Sequence, residues 1–322
     1  MQNNHTYDAY FLIPPEVQLL DIAGPIHLFY EANEYGAQFK AHYLSLNPGT
    51  EEISSAGIAL SRLEPFWNFT LGPHDLLFIP GLESHLFFAE DFKPKNQLFF
   101  SWLREQNQNK AKICSVCTGA YIMAFAGLFE GKSCTTHWKY FGDFKTRFPR
   151  AKLLSDRLIV KDGNLYSSAG VSSGIDLALF LLEEIYGPVF ATKIAKEVVI
   201  YLRRTENDPQ LSVFLQYRNH MDNRIHQVQD TLAQNLDKKL KIEELAENSH
   251  MSPRNLTRVF KKTTGITIGD YLAKLRIERA LQLLSSGTKV NAVSLACGLQ
   301  SSNQLRALLK KHTESLPSQL RK

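Results

Sequence analysis

Among residue types able to do chemistry, cysteine is the scarcest here, with four in 322 residues, at positions 114, 117, 134 and 297. Two of them lie in the stretch Lys112–Leu128, "KICSVCTGAYIMAFAGL", where an apolar run ends in a cysteine and continues, past small residues, as a helix-like apolar segment. Three chemistries compete for this spacing. Cys114-x₂-Cys117 and Cys134-x₂-His137 imitate a zinc set. The segment between them is an apolar helix rather than a knuckle, however, and strand alternation aims Cys114 and Cys117 differently, so no metal and no cofactor are expected. The second chemistry is inert packing, since a free cysteine is often a small buried hydrophobe; it suits Cys114, Cys134 and Cys297. The third is a nucleophile elbow. Cys117 ends a strand, and Thr118-Gly119-Ala120 turns tightly into a helix whose amides and dipole favour thiolate. On that reading the thiol pKa is expected below the ~8.5 of a free cysteine.

The elements that must hold this joint alternate along the first ~205 residues. "AYFLI", "AHYLSL", "HDLLFIPG" and "AKICSV" have strand character. "LLDIAGPIHLFYEAN", with a Gly-Pro interruption, "QLFFSWLREQN", "AYIMAFAGLF", "GIDLALFLLEEIYG" and "VFATKIAKEVVIYLRR" have helix character. "DRLIVKDGNLYSSAG" predicts two strands joined by an Asp-Gly turn. Alternation of this kind predicts an α/β fold with a mostly parallel sheet covered on both faces. Ligands of such sheets gather beyond the C-terminal ends of the strands, where Cys117 falls. The breaker cluster Asn207-Asp208-Pro209 ends the pattern. The expected organisation is a domain over 1–205, a linker over 206–221 and an all-helical domain over 222–322.

Charge divides at the same place. From Asp222 to Lys322 there are 17 Lys+Arg against 9 Asp+Glu, a net of +8, which leaves −3 for the rest of a chain whose total is +5. A basic domain beside a slightly acidic one points to a nucleic-acid partner or to a solvated basic face. No apolar run approaches ~18 residues, so no membrane span is expected. The few cysteines and the absence of a signal-like N-terminus fit a cytoplasmic protein.

The basic tail repeats itself. "LAENSHMSPRNLTRVFKK" from Leu245 aligns with "VSLACGLQSSNQLRALLKK" from Val293 with one inserted residue, placing Met251 over Leu299, Leu256 over Leu305, Phe260 over Leu309 and Lys261-Lys262 over Lys310-Lys311. Each unit is a short apolar helix, a turn and a polar, basic helix. Ser252 and Ser301 are good N-caps, and Pro253 suits the first helical position. Gly298 supplies a turn residue where the first unit has His250. Between the units "TIGDYLAKLRIERALQLLSSG" predicts a long linking helix stopped by Gly287. These are two helix-turn-helix units, whose second helices enter the major groove. Arg254, Asn255, Thr257 and Arg258 in the first, and Ser302, Asn303, Gln304 and Arg306 in the second, can reach base edges. Lys261, Lys262, Lys310 and Lys311 suit phosphates. The alternative is an all-helical adaptor whose repeat merely builds a core.

On these residues the tail resembles the AraC/XylS family of bacterial transcription regulators, strongly over "IEELAENSHMSPRNLTRVFKKTTGITIGDYLAKLRIERALQLL" and more loosely over "VSLACGLQSSNQLRALLKKHTESLPSQLRK". In the second unit Ala307 stands where the family usually has arginine, Leu309 where it has phenylalanine and Glu314 where it has glycine. "LLDIAGPIHLF", "LLFIPGL", "ICSVCTGAYIMAFAGLFEGKSCTTHW" and "SSAGVSSGIDLALFLLEEIYG" are similar to the PfpI and isocyanide-hydratase branch of the class I glutamine-amidotransferase-like superfamily. The two halves in this order resemble GlxA-type transcription regulators. The resemblance implies a flavodoxin-like N-terminal domain that senses a small molecule, a nitrogenous metabolite among those to which related sensors respond. It implies promoter DNA as a partner and a homodimer. It places the nucleophile position at Cys117, an acidic partner at Asp21, the following threonine at Thr118, the oxyanion-side backbone at Gly81 and Leu82, and a pocket histidine at His137.

Simpler roles stand beside these. Asp21 could cap a loop, His137 could be a buried histidine bonded to backbone, and Gly81 could be only a turn. Two functions follow from the whole. One is a one-component transcription regulator. The other is an isocyanide-hydratase-like or hydrolytic enzyme using Cys117, with a DNA-binding tail attached.

Overall fold

The computed structural model describes residues 5–155, 157–200, 212–218, 220–285 and 287–313. The Asn207-Asp208-Pro209 cluster, most of the first half of the expected linker and Glu314 lie outside the described residues. The chain separates into two compact units, Met1–Gln210 and Leu211–Lys322.

The first unit is built on a seven-stranded sheet ordered Ile159–Asp162, Leu165–Ser168, Lys112–Val116, Leu76–Ile79, Tyr7–Ile13, Phe39–Ser45 and Glu64–Pro65. Every pairing is parallel except the hairpin Ile159–Asp162 with Leu165–Ser168, whose Asp-Gly turn was anticipated from sequence. The central strands are buried on both sides, because helices cover both faces. On one face Phe11, Phe78, Cys114 and Val116 pack beneath helices Leu19–Glu34, Ser173–Tyr186 and Pro188–Glu197. On the other Leu77, Ile79 and Ile113 pack beneath helices Gln97–Gln108 and Gly119–Phe125. This is the flavodoxin-like α/β architecture. Lys112–Val116 lies inside the sheet, so whatever follows Val116 emerges at a row of strand ends.

Two elements differ from the sequence expectation. The Gly-Pro pair does not interrupt its helix, and Leu19–Glu34 runs unbroken through Pro25. Proline withdraws the amide that the Asp21 carbonyl would otherwise accept. That oxygen and the Pro25 ring instead face Gly174, where a Cβ would lie 3.1 and 3.3 Å from them. The helix over "VFATKIAKEVVIYLRR" stops at Glu197. Val199 turns left-handed with φ 54°, and Ile200 N donates back to the Ala195 carbonyl. Nothing in the structure explains a β-branched residue there.

The second unit is helical in its described residues. Val213–Gln216 forms one turn inside the stretch expected as a linker, and Val213 is buried in this unit's core. The helices Ile242–Asn248 and Pro253–Thr264 form one helix-turn-helix, and Val290–Ala296 and Ser302–Thr313 the other. Ser252 Oγ accepts from Asn255 N at 3.3 Å, and Ser301 Oγ from Gln304 N at 3.3 Å, so both caps form. Leu256 and Phe260 fill one small core, Leu305 and Leu309 the other. The linking helix Ile268–Ser285 serves both: Ile268, Tyr271 and Leu275 enter the first core, Ile277, Ala280 and Leu284 the second.

The second core is small, so each member matters. Leu305→Ala is expected to destabilise the helical unit by about 2–5 kcal/mol, the usual cost of a buried leucine. Urea unfolding followed by far-ultraviolet circular dichroism reads it, and a loss under about 1 kcal/mol would show that Leu305 is not the centre of that core.

Candidate functional site

Cys117 follows its strand with φ 57°, a left-handed backbone that a non-glycine residue holds only under constraint. The constraint is visible on both sides. Its amide donates to the Ser168 carbonyl at 3.1 Å, and its carbonyl accepts from Thr136 Oγ1 at 3.0 Å. The helix Gly119–Phe125 begins two residues later, pressed so closely on the neighbouring strand that a Cβ at Gly119 would lie 2.1 Å from the Ile79 carbonyl oxygen. A strand, a left-handed cysteine and a helix start together make the elbow. Thr118 and Val171 direct their backbone amides at the sulfur.

Asp21 reaches the same point from the first turn of its helix. It is fully buried, and its Oδ2 accepts from Gly81 N at 2.8 Å. Gly81 is more than a turn residue: a Cβ there would lie 2.5 Å from Thr118 Oγ1 and 2.8 Å from Asp21 Oδ2. Its amide is engaged by the carboxyl, so the oxyanion-side role expected of it is already occupied. Thr118 Oγ1 donates to the Leu82 carbonyl at 3.4 Å, and buried Leu82 bridges to Val17. Asp21, Gly81, Leu82, Cys117 and Thr118 are thus brought together.

Electrostatics at the joint corrects one expectation. Burial pushes the Asp21 carboxyl up to about 7, although the Gly81 amide and the Cys117 thiol pull it back. Among the described residues no cation acts on it, and Oδ1 has no partner with hydrogen-bond geometry. The Cys117 thiol is raised, not lowered. Burial is the first cause and the neighbouring Asp21 charge the second; the Thr118 and Val171 amides act in the anticipated direction and lose. A helix terminus contributes roughly 1 kcal/mol near a surface, less than the cost of desolvating a thiolate.

His137 is bonded to backbone, the simpler of the two roles weighed for it. Its Nδ1 accepts from Lys139 N at 3.2 Å, capping the turn Trp138–Tyr140. Its ring also lies over Gly170, where a Cβ would come 3.3 Å from Nε2. Half-burial, then Lys139, lowers its pKa and favours the neutral ring. Thr136, Ser168, Gly170 and Val171 were not singled out from sequence, though they sit in the "TTHW" and "SSAGV" segments that resembled the family. Their contribution is mostly backbone, which residue type does not announce.

The cysteines of the zinc-like set are dispersed. Cys114 lies in the core on one face of the sheet and Cys134 in the core on the other. No group of three or more potential ligands gathers among the described residues.

In the helical unit Arg254, Thr257, Arg258, Lys261 and Lys262 are exposed on the second helix of the first helix-turn-helix. Asn303, Gln304, Arg306, Lys310 and Lys311 are exposed on its counterpart, and Ser302 is half-buried. Some donors are already engaged. Arg258 donates to Asn255 Oδ1 at 3.0 Å, Arg306 to Asn303 Oδ1 at 3.1 Å, and the Thr257 hydroxyl to the Pro253 carbonyl at 3.1 Å. Gln304 Oε1 accepts from Gln300 N at 2.9 Å, tying it to the turn.

The raised Asp21 pKa has a sign that can be measured. Between about pH 4 and pH 7 the unfolded chain releases this proton while the folded chain keeps it, so stability falls as pH rises through that window. Asp21→Asn should remove that slope and stabilise the first unit at pH 8 by a few kcal/mol, an order-of-magnitude figure. Tryptophans 67, 102 and 138 all lie in this unit, so urea unfolding by fluorescence at pH 5 and pH 8 isolates it. An unchanged slope in the variant would place the proton elsewhere.

Comparison with known proteins agrees with this geometry. Residues 8–184 match the DJ-1/PfpI family, and residues 245–322 match a helix-turn-helix domain. The chain is 28% identical over 318 residues to the HTH-type transcriptional regulator CdhR of Pseudomonas aeruginosa, covering 97% of this chain and 90% of that one. It is 34% identical over 178 residues to an isonitrile hydratase of Pseudomonas putida, covering 55% of this chain and 71% of that one. Among solved structures, a ThiJ/PfpI family protein from Pseudomonas syringae shares the fold at a TM-score of 0.54, with 19% identity over 76% of this chain and 89% of that one. An AraC family transcriptional regulator from Pseudomonas putida does so at 0.50, with 18% identity over 60% of this chain and all of that one. The chain belongs to the DJ-1/PfpI family and, with its AraC-type helix-turn-helix domain, is a DNA-binding transcription regulator of the GlxA type.

Proposed function

We propose that this regulator binds a small nitrogenous metabolite at the Cys117 joint and reads promoter DNA with both recognition helices. One observation carries the DNA reading: two serine-capped helices, repeated in one basic unit, expose arginines and lysines rather than burying a repeat core alone. Arg254, Asn255, Thr257, Arg258, Ser302, Asn303, Gln304 and Arg306 are assigned to base edges, and Lys261, Lys262, Lys310 and Lys311 to phosphates. The proposed organisation is a sensing domain over 1–205, a linker over 206–221 and a DNA-binding domain over 222–322, acting as a homodimer in the cytoplasm. No helix among the described residues is long and apolar enough to cross a membrane.

The effector contacts are assigned to Asp21, Gly81, Leu82, Cys117, Thr118 and His137. Among the described residues the buried Asp21 carboxyl has no cation beside it and its Oδ1 no hydrogen-bond partner, which favours a ligand carrying an N–H donor or a cationic nitrogen. A cavity of about 270 Å³ lies elsewhere, lined by Ala124, Phe129, Glu130, Arg147 and Arg150 among others. Its guanidiniums are already paired, Arg147 with Asp143 and Arg150 with Glu130, so it is not the site assigned to the effector. The isonitrile-hydratase relative favours a second reading, in which Cys117, Asp21 and Thr118 retain hydratase or hydrolase activity. Turnover of small isocyanides, nitriles and amides, measured beside DNA binding, decides between them.

Arg254→Ala or Arg258→Ala should each weaken specific DNA binding by roughly 1–3 kcal/mol. Lys261→Ala should weaken specific and nonspecific binding alike and flatten the salt slope. Operator affinity indifferent to Arg258→Ala at moderate salt would remove the first unit from the role of reader.

Cys117 should be alkylated before Cys114, Cys134 and Cys297, since those three are fully buried and it retains 4% exposure. The rate should go on rising above pH ~8.5, because its thiol is harder to ionise than a free one. Mass spectrometry of briefly labelled native protein tests both points. A plateau below pH ~8.5, or first labelling at Cys134 or Cys297, contradicts them.

A further inference from the structure

We propose that Arg276 and Gly298 clamp the two helix-turn-helix units at a fixed separation and rotation, so that the protein selects operators by the spacing between half-sites. The inference rests on both units meeting DNA.

Arg276 sits at the middle of the linking helix, between Leu275 in the first core and Ile277 in the second. Its side chain is half-buried. Nε donates to the Leu236 carbonyl at 3.3 Å and Nη2 to the Lys238 carbonyl at 3.3 Å. These carbonyls belong to the loop between helix Asn223–Gln234 and the first helix-turn-helix. Against that loop rests Gly298, in the turn of the second unit. A Cβ at Gly298 would lie 2.3 Å from the Leu236 oxygen, 2.7 Å from Arg276 Nη2 and 3.0 Å from the Asp237 carbonyl carbon. One guanidinium and one glycine thus join the support of the first unit, the linking helix and the turn of the second.

The repeat supplies an internal control. His250 occupies the equivalent turn position in the first unit and has nearly the same backbone, φ 54° against 65° at Gly298. The turn therefore tolerates a side chain where it faces solvent, as exposed His250 does. At 298 the packed loop excludes one, in addition to the strain that a positive φ puts on any side chain. This contact fixes where Ser302–Thr313 starts relative to Ile242–Asn248. The linking helix of 18 residues, about 27 Å long, sets the scale of the separation. Each added base pair rotates the second half-site by roughly 34° about the duplex, so a rigid pair of readers is sensitive to single steps.

The test starts with the full-length protein and duplexes it selects from a random pool. Affinities are then measured on variants whose half-sites are moved together or apart by one and two base pairs, and on a duplex with one half-site alone. The wild type should lose about tenfold or more at two base pairs of displacement, as the second reader is turned off its groove. Arg276→Lys keeps the charge but not the two-point fork. It should reduce that spacing penalty to less than about threefold while single-half-site binding stays within about twofold. Gly298→Ala should do the same where it folds, and Arg276→Lys decides the matter where it does not. A wild type that binds tightly at every spacing overturns the clamp. So does a folded Arg276→Lys that keeps the full penalty, or one that loses affinity equally on all duplexes, single half-site included. A wild type that selects no duplex overturns the DNA reading itself, a different result.

Discussion

The first unit depends on holding a buried cysteine in a left-handed backbone at the end of a central strand. Such a conformation costs a non-glycine residue roughly 1–2 kcal/mol, and it persists only where the surroundings determine it more than once. Here three pieces do so: the Ser168 carbonyl from the next strand, the Thr136 hydroxyl from the loop, and the Gly119 contact with the Ile79 carbonyl. Each comes from a different element, so the elbow reports on the register of the whole sheet. Lys112–Val116 must lie between Leu76–Ile79 and Leu165–Ser168 for all three to act at once. The Pro25 helix is part of the same arrangement, since it carries Asp21 to the sulfur while its proline-freed carbonyl faces Gly174.

The charge balance of the joint follows from its depth. Asp21 and Cys117 are two acidic groups in one dry place: burial makes both hard to ionise, the Asp21 charge adds to this at the thiol, and the thiol partly offsets it at the carboxyl. An Asp21 near 7 rests close to half-protonated at neutral pH. A ligand bringing an N–H donor or a positive nitrogen would therefore draw the carboxyl toward its charged form. Binding and proton release would be coupled, which gives a sensing domain a large response from a small contact.

Much of this was legible in the residues, and the remainder was illegible for identifiable reasons. The parallel sheet followed from alternation, the hairpin from Asp162-Gly163, and the repeated helices from Ser252, Ser301 and the apolar positions they precede. Cys117 stood out by its residue type at a strand end, and Asp21 and Thr118 followed from the family resemblance; the fold brings the three together. Val171 and Ser168 were not found, because they act through backbone amide and carbonyl. The sign of the Cys117 shift was missed because sequence reveals the helix terminus but not the depth at which it ends. Pro25 misled because its cost depends on what covers the freed carbonyl, and Gly174 is far away in sequence.

The second helix-turn-helix shows how a repeat can diverge without losing its fold. Leu309 replaces an aromatic, yet its core closes around the smaller side chain with Val293, Cys297 and Leu305. Ala307 removes an arginine, but Arg306 stands one position earlier, braced by Asn303 as Arg258 is braced by Asn255. Relative to the buried leucines 256 and 305, the second Asn–Arg pair is displaced by one residue. On an α-helix that is about 100° of rotation and 1.5 Å of rise. Two readers with their guanidiniums so displaced cannot meet the same base at the same offset. The fold is repeated but the placement of its donors is not, so if both helices read bases as proposed, the target would consist of two unlike half-sites.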